Sequence, residues 1–230
     1  MQKVEIRQFF DQQAADYDQE WGRLSPIRSS LLFQLKFAFS DLPDDAQILC
    51  VGAGTGTEMS ALAQAFPGWR FTAVDPSPEM LKMCRRNADR EGYISRCAFH
   101  EAYLDTLPDE TRYDGATSIL VSHFILAQDS RTAFFQDIAK RLKPGGILVT
   151  AELASDRSPD VFMPLQKYWL NMLERTGNSA KNIEQMRAAI DTHVAILPPN
   201  QLETMIKSAG FETPVRFFQA GPIHGWFTRR

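Results

Sequence analysis

The stretch AQILCVGAGTGTE, residues 46–58, determines the fold expected for this chain. Its first six residues form a largely apolar run, which is typical of a buried strand. Gly52, Gly54 and Gly56 follow at once, and an apolar pattern of helical period begins at Glu58. Glycine permits a positive φ and a close approach of ligand to backbone, and the start of a helix offers unpaired N–H groups. The stretch therefore predicts a strand, a tight glycine turn that can hold a polar ligand, and a helix.

The same alternation continues through the centre of the sequence. Four further apolar runs are predicted to be strands, at 69–74, 95–100, 115–121 and 147–153, and the amphipathic segments between them are predicted to be helices. Largely apolar strands separated by helices are required by a parallel sheet that is covered on both faces. Residues 212–219 and 223–228 are expected to close the sheet as an antiparallel pair. The predicted fold class is α/β, with a doubly wound, mostly parallel, seven-stranded Rossmann-like sheet.

Two helical regions interrupt the alternation and define the expected domain organisation. Residues 1–40 are predicted to form two helices that act as an N-terminal lid. Residues 158–195 are predicted to form a helical insertion between the fifth strand and the last helix. The core that carries the glycine turn is then 41–157 together with 196–230. All 230 residues are expected to form a single domain.

The composition argues against several other classes of protein. With 25 Lys and Arg residues against 28 Asp and Glu, the net charge of −3 does not suit a broad phosphate-binding surface, so nucleic acid is not an expected partner. No signal peptide is recognisable, and no run approaches the roughly 18 apolar residues that span a bilayer, so a cytoplasmic location without membrane contact is expected. The three cysteines, and His193 and His224, lack metal-ligand spacing, and no metal site is expected.

Asp75 makes the glycine turn a candidate nucleoside site. It ends the second predicted strand, which lies beside the first in a doubly wound sheet, and a carboxylate there can accept hydrogen bonds from both ribose hydroxyls of an adenosine. A dinucleotide site requires the third glycine of G-x-G-x-x-G beside the pyrophosphate, and that position is Thr57 here. The pattern favours a nucleoside ligand without pyrophosphate, and a nicotinamide cofactor is the second interpretation.

Four motifs, taken together, resemble the class I S-adenosylmethionine-dependent methyltransferases. They are ILCVGAGTGTE at 48–58, FTAVDPSPEML at 71–81, YDGATSILVSHFI at 113–125 and RLKPGGILV at 141–149. The resemblance covers roughly residues 9–155 with the motifs in order. It implies S-adenosyl-L-methionine as the cofactor, S-adenosyl-L-homocysteine as a product, and methyl transfer to a small-molecule substrate. The segment from Phe10 to Asp18 is also similar to the lid helix of the family's small-molecule members.

The resemblance implies a set of cofactor-binding residues. The glycine turn would hold the methionine moiety, the acid after the second strand the ribose, and residues after the second and third strands the adenine. The tip of the fourth strand would face the sulfonium. Glu101 and Ala102 take the place after the third strand, where Asp105 is an alternative. The expected set is Tyr17, Gly52, Ala53, Gly54, Gly56, Asp75, Pro76, Met80, Glu101, Ala102, Val121 and Ser122.

Four residues are candidates for the substrate side of the site. His123 matches a position where many relatives carry histidine, and as a general base it would suit neutral pH. Methyl transfer depends chiefly on positioning the reactants, so a packing or cofactor-contact role is the alternative. Tyr17 is expected in the lid, although it could equally anchor the first helix. Tyr168 lies in the insertion, whose aromatic residues are expected to cover the substrate or to pair two subunits as a homodimer.

Arg187 enters through a second resemblance, from about residue 117 to the end, to the carboxy-S-adenosylmethionine synthases that serve wobble-uridine modification in tRNA. In that family a stretch similar to Ile183–Arg187 ends in an arginine that holds the extra carboxylate of the modified cofactor. The usual cofactor turn there is Gly-Cys-Ser-Leu-Gly, which this chain lacks, and Arg187 could be a solvated charge. We therefore expect methyl transfer, with carboxy-S-adenosylmethionine synthesis or RNA methylation as alternatives.

Overall fold

Seven strands form one sheet in the computed structural model, which describes residues 3–108 and 113–230. The strands are β1 Gln47–Val51, β2 Arg70–Asp75, β3 Cys97–Glu101, β4 Tyr113–Ile119, β5 Leu142–Leu153, β6 Val215–Ala220 and β7 Ile223–Arg229. Their order across the sheet is β3-β2-β1-β4-β5-β7-β6. The first five strands pair in parallel, whereas β7 is antiparallel to both β5 and β6. The predicted fold class and the antiparallel ending are confirmed.

The position of the site follows from the strand order. β1 pairs with β2 on one side and with β4 on the other, so the chain reverses its direction of progress across the sheet between these strands. Ligands of open α/β sheets bind outside the carboxyl ends of the strands at such a reversal. The loops that follow β1, β2 and β4 are therefore brought together at one edge of the sheet.

Nine helices accompany the sheet in the described part of the chain. They are α1 Lys3–Gln13, α2 Tyr17–Gly22, α3 Ser25–Ala38, α4 Thr57–Ala65, α5 Pro78–Arg90, α6 Gln128–Arg141, α7 Pro159–Arg175, α8 Ala180–His193 and α9 Pro199–Ser208. None of these helices has the length and apolar character needed to cross a membrane. The N-terminal region contains three helices rather than the two predicted. The extra boundary lies at residues 14–16, between α1 and α2, and divides the helix predicted to carry Phe9, Phe10, Tyr17 and Trp21.

Helices cover both faces of the sheet. Ile48 and Leu49, adjacent in β1, point to opposite faces and are each fully buried. Ile48 belongs to a cluster with Leu35, Met59 and other residues of α3, α4 and α5. Leu49 belongs to a cluster on the other face that contains Phe135 of α6. Both faces of β1 are thus fixed by packing, and this strand in turn fixes the position of the glycine turn that follows it.

The division into a lid, a core and an insertion remains a prediction.

We predict that Leu49→Ala lowers the free energy of unfolding by about 2–5 kcal/mol, because it removes buried methyl groups from a strand that is packed on both sides. Val215→Ala, at a residue that is 50% exposed in β6, is the control and should change stability by less than about 0.5 kcal/mol. Urea denaturation followed by circular dichroism measures both values. Equal losses for the two variants would contradict this account of the core.

Candidate active site

A cavity of about 670 Å³ lies at the carboxyl ends of β1, β2, β3 and β4. Helices α1 and α2 close it from above, and most of its wall is apolar. Eight of the residues predicted to bind the cofactor or substrate line this wall: Tyr17, Gly52, Gly54, Asp75, Pro76, Met80, Ala102 and Val121. The cavity thus gathers residues from the lid and from all four strand ends.

The glycine turn presents its backbone to the cavity. Gly52 and Gly54 both have positive φ, at +67° and +52°. A Cβ added at Gly52 would lie 2.4 Å from Cγ2 of Val121, whereas one added at Gly54 would meet nothing within 4 Å. Gly52 is therefore required for close packing against the tip that follows β4. Gly54 leaves open space in which a ligand can approach the main chain.

Two of the predicted cofactor-binding residues of the turn lie behind this wall. Gly56 has a φ of +83°, and a Cβ there would lie 2.6 Å from Sγ of Cys84. A glycine is therefore required at position 56, where the start of α4 packs against α5. Ala53 is 2% exposed and belongs to the hydrophobic core. Both residues shape the turn, and neither lines the cavity.

The carboxylate of Asp75 joins two loops of the site. Its Oδ2 accepts a hydrogen bond of 2.9 Å from the N–H of Gly54, and its Oδ1 accepts one of 2.9 Å from the N–H of Ser77. Burial raises the pKa of Asp75 to about 6, against the opposing effect of these two hydrogen bonds. A carboxylate oxygen has two acceptor positions, so each oxygen can still accept a hydroxyl from a bound ligand.

The lid is attached to the same two loops. The hydroxyl of Ser77 donates to Oδ1 of Asp11 in α1 at 2.6 Å, and the hydroxyl of Thr55 donates to Oδ1 of Asp18 in α2 at 2.7 Å. Tyr17, beside Asp18, lines the cavity. Burial raises the pKa of its hydroxyl far above the ordinary value, and nearby carboxylates add to the effect. Tyr17 is therefore a neutral phenol at physiological pH.

The loop after β3 places Ala102 and Asp105 on the wall and leaves Glu101 outside it. Glu101 is exposed, and its nearest cationic partner is Arg7, at 3.9 Å. Asp105 forms an ion pair of 2.6 Å with Lys3 at the start of α1, and both residues line the cavity. Asp105 was the alternative for this place in the sequence, and the structure favours it over Glu101 as the acid that a ligand could contact.

Ser122 and His123 are buried beneath the cavity and do not line it. Their backbone N–H groups donate to the carboxylate of Glu152, at 3.2 and 3.0 Å, and Nδ1 of His123 lies 2.9 Å from Oε2 of the same group. These contacts turn both side chains into the core, because Glu152 is itself fully buried. The placement of His123 below the wall gives no support to a role as a general base.

Arg131 completes this buried network. Its guanidinium lies 3.3 Å from Glu152, donates to the hydroxyl of Ser122 at 2.8 Å and donates to the carbonyl of Ala195 at 2.9 Å. Burial alone would raise the pKa of Glu152. The hydrogen bond with His123 and the charge of Arg131 outweigh burial and hold that pKa below its usual range. The network therefore contains an ionised carboxylate.

The network holds a strained backbone at the cavity. Leu120, which lines the wall, has a φ of +60° and is the one non-glycine residue with positive φ in the described ranges. The N–H of Leu120 donates to the carbonyl of Ala151 at 2.7 Å. Two and three residues later, the N–H groups of Ser122 and His123 donate to Glu152. Strained φ values of this kind persist only where surrounding contacts fix them.

The remaining substrate candidates lie away from the cavity. Tyr168 is 59% exposed on α7, because that helix buries Trp169 and Leu173 instead. Arg187 is exposed on α8. By contrast, Lys3, Phe10 and Phe124 line the wall, and the rings of Phe10 and Phe124 are 5.3 Å apart. The sequence pattern offered a signal only for Phe10, in the lid segment, and for Phe124, in the third motif.

We predict that Arg131→Met lowers the free energy of unfolding by about 3–5 kcal/mol, because it leaves the carboxylate of Glu152 buried without its cation. Adding Glu152→Gln should recover a large part of the loss, because the amide oxygen still accepts from the backbone. Lys82→Met, which breaks the exposed ion pair with Glu79, is the control and should cost less than about 1 kcal/mol. Urea denaturation gives the three values, and additive losses in the double variant would contradict the proposed coupling.

Comparison with known proteins adds to these observations. A family model described as a methyltransferase domain matches residues 48–146. The release factor glutamine methyltransferase of Chlorobaculum tepidum is 35% identical over 109 residues, which cover 47% of this chain and 37% of that protein. The carboxy-S-adenosyl-L-methionine synthase of Erwinia tasmaniensis is 28% identical over 184 residues, which cover 76% of this chain and 72% of that protein.

Solved structures share the fold. An O-methyltransferase family protein from Burkholderia thailandensis superposes with a TM-score of 0.66 at 15% identity, covering 94% of this chain and 59% of that one. Human N-acetylserotonin methyltransferase, solved in complex with SAM, gives a TM-score of 0.60 at 22% identity, covering 94% and 58%. The chain thus spans less than two thirds of these structures and of the release factor methyltransferase.

The family model runs from Ile48 in β1 to Gly146 in β5. It therefore contains both parts of the predicted nucleoside site, the glycine turn and Asp75. It also contains the fourth-strand tip that closes the cavity floor. Residues 48–146 thus match a methyltransferase domain, and the chain is similar to S-adenosylmethionine-dependent methyltransferases.

Proposed function

We propose that this protein transfers a methyl group from S-adenosylmethionine to a small-molecule acceptor by in-line displacement. The observation that carries the proposal is the open backbone of Gly54 beside the oriented carboxylate of Asp75, both on the wall of one cavity. Asp75 would accept the ribose hydroxyls, and the glycine turn would hold the methionine moiety. Pro76, Met80 and Ala102 would line the adenine, as apolar surfaces that exclude water.

The charges of the wall suit a cationic cofactor. Among the described residues the wall carries Lys3, Asp75, Asp105 and Asp137. Asp105 is paired with Lys3 and Asp137 with Lys140, so Asp75 is the carboxylate of the described wall that has no ion-pair partner, and the wall residues together carry a net negative charge. A cleft of one charge sign attracts ligands of the other sign. The sulfonium of S-adenosylmethionine is such a ligand.

The apolar part of the wall supports a small acceptor. Phe10, Phe124, Ile125, Leu126 and Phe134 surround the cavity together with the lid. Enclosure of this kind excludes water and holds two reactants in contact, and positioning alone can supply up to about 7–11 kcal/mol of a displacement barrier. Tyr17, as a neutral phenol, would donate or accept a hydrogen bond and would not remove a proton.

Carboxy-S-adenosylmethionine synthesis is the second candidate, favoured by the similarity to the Erwinia tasmaniensis enzyme over 184 residues. An extra carboxylate needs a cation. Arg187 is exposed and does not line the cavity, and Lys3, the cation on the described wall, is already paired. We therefore favour the unmodified cofactor. RNA methylation has less support, because the net charge is −3.

We predict that Gly52→Ala weakens S-adenosylmethionine binding at least about tenfold, or about 1.4 kcal/mol, because the new Cβ displaces either the turn or Val121. Gly92→Ala is the matched control. Gly92 also has a positive φ, +77°, but a Cβ there meets nothing within 4 Å, and the residue lies outside the cavity wall. Isothermal titration calorimetry measures both affinities. Wild-type affinity in Gly52→Ala would contradict the assignment of the turn.

We predict that a methyl-transfer screen against a metabolite extract yields S-adenosylhomocysteine with the wild type. Asp75→Asn should yield far less, because it removes the charge that accepts the ribose hydroxyls, worth about 1.5–3 kcal/mol per hydrogen bond. Mass spectrometry of ligand released from the purified protein complements the screen. The mass of S-adenosylmethionine plus a carboxyl group would overturn the proposal in favour of the second candidate.

A further inference from the structure

Glu58 is a buried carboxylate two residues after the last glycine of the turn. It is the second residue of α4 and is 6% exposed. Its Oε1 is buried with no hydrogen-bond partner among the described residues. A buried carboxylate oxygen without a partner is destabilising, so the fold alone gives no reason for a charge at this position.

The ionisable groups among the described residues that interact electrostatically with Glu58 include no cation. They are Tyr17 of α2, Cys50 of β1, Asp75 of β2, Cys84 of α5 and Tyr93, which follows α5. Each is neutral or acidic. Tyr17 and Asp75 also line the cavity, so Glu58 interacts electrostatically with two residues of its wall. No cation among these groups compensates the charge of its ionised form.

We propose that Glu58 selects the charge of the cofactor, its ionised form favouring S-adenosylmethionine over S-adenosylhomocysteine. The inference rests on the proposed function. The two ligands share the adenosine and amino-acid parts and differ by the methyl group and the positive charge on sulfur. A buried anion that interacts with the cavity wall would therefore stabilise the cationic ligand and not the neutral one.

The consequence for turnover follows from the electron balance. The acceptor's lone pair forms the new bond to the methyl carbon, and the electrons of the broken C–S bond stay on sulfur, which becomes a neutral thioether. The cation that stabilised ionised Glu58 is then lost. Burial raises the pKa of Glu58 to about 7, opposed by its own backbone N–H, so at neutral pH the carboxylate takes a proton from solvent after transfer. Product affinity falls at the step where release is needed.

The primary test compares the affinities of both ligands for the wild type and Glu58→Gln by calorimetry, at about pH 6 and about pH 7.4, below the α-amino pKa of about 7.7–8.0. The wild-type preference for S-adenosylmethionine should increase at the higher pH. Glu58→Gln should lose about tenfold in S-adenosylmethionine affinity there, equivalent to one unit of pKa, and change S-adenosylhomocysteine affinity by less than about twofold. Asp75 faces the ribose common to both ligands, so its titration cancels in the ratio.

Glu79→Gln is the matched control. Glu79 is also the second residue of a helix, α5, which follows the other cofactor loop. Its side chain is half exposed and lies 3.0 Å from Lys82. Removal of this screened charge should leave the ratio of affinities at its wild-type value.

Two further measurements separate charge selection from a structural role. The pKa of Glu58 is higher in the folded protein, at about 7, than in the unfolded chain, at about 4.3. Its contribution to the free energy of unfolding is therefore fully present below the unfolded value and is lost as the pH rises through about 7. Glu58→Gln should therefore raise the melting temperature of the ligand-free protein at about pH 8 while it weakens S-adenosylmethionine binding. In the wild type at about pH 7, S-adenosylmethionine should release about 0.4 of a proton more than S-adenosylhomocysteine does.

The outcomes distinguish the two proposals. If neither ligand binds the wild type, the proposed methyltransferase function fails, and the inference with it. If both bind but Glu58→Gln changes the two affinities equally, or changes neither, charge selection is refuted and the methyltransferase function stands. A lower melting temperature together with equal loss of both ligands would assign Glu58 a packing role.

Discussion

The carboxylate of Asp75, accepting one N–H from Gly54 and one from Ser77, is the constraint on which the site depends. It joins the loop after β1 to the loop after β2, so neither loop can move without the other. The hydroxyls of Thr55 and Ser77, in the same two loops, then donate hydrogen bonds to Asp18 of α2 and Asp11 of α1. One buried acid thereby fixes the geometry of the glycine turn and of the loop to which α1 is bound.

The floor of the cavity is held by a second buried acid, Glu152. It accepts from the backbone of Ser122 and His123 and is neutralised by Arg131, which stabilises the strained tip at Leu120. The two acids differ in their surroundings. Glu152 has a cation and a depressed pKa, whereas Asp75 has only backbone N–H partners and a raised pKa. Glu152 therefore suits a rigid part of the site, whereas Asp75 suits a change in charge when a ligand binds.

Local patterns in the sequence carried most of the fold and the centre of the site. The strand, the glycine turn and Asp75 could be predicted because apolar runs, glycine spacing and a strand-end acid are short-range signals. The burial of His123 could not be predicted, because it depends on Glu152 and Arg131, which only the sheet and α6 bring near. The choice between Glu101 and Asp105 depended on the path of the loop after β3, which brings Asp105 to the cavity, whereas Glu101 ends the strand itself. Glu58 gave no signal, because an acid in a helix's first turn is ordinary until its environment is known.

The hydrogen bonds that hold α1 and α2 over the cavity have a consequence for the exchange of reactants. Ser77 donates to Asp11 and also accepts the N–H of Met80, so it still caps α5 when the lid contact breaks. Opening would break these two carboxylate–hydroxyl hydrogen bonds, the ion pair of Lys3 with Asp105 and the ring contact of Phe10 with Phe124, and it would disrupt no helix. The two hydrogen bonds to charged groups contribute about 1.5–3 kcal/mol each to the closed form. Reactants could then be exchanged by movement of α1 and α2 while the sheet keeps its packing.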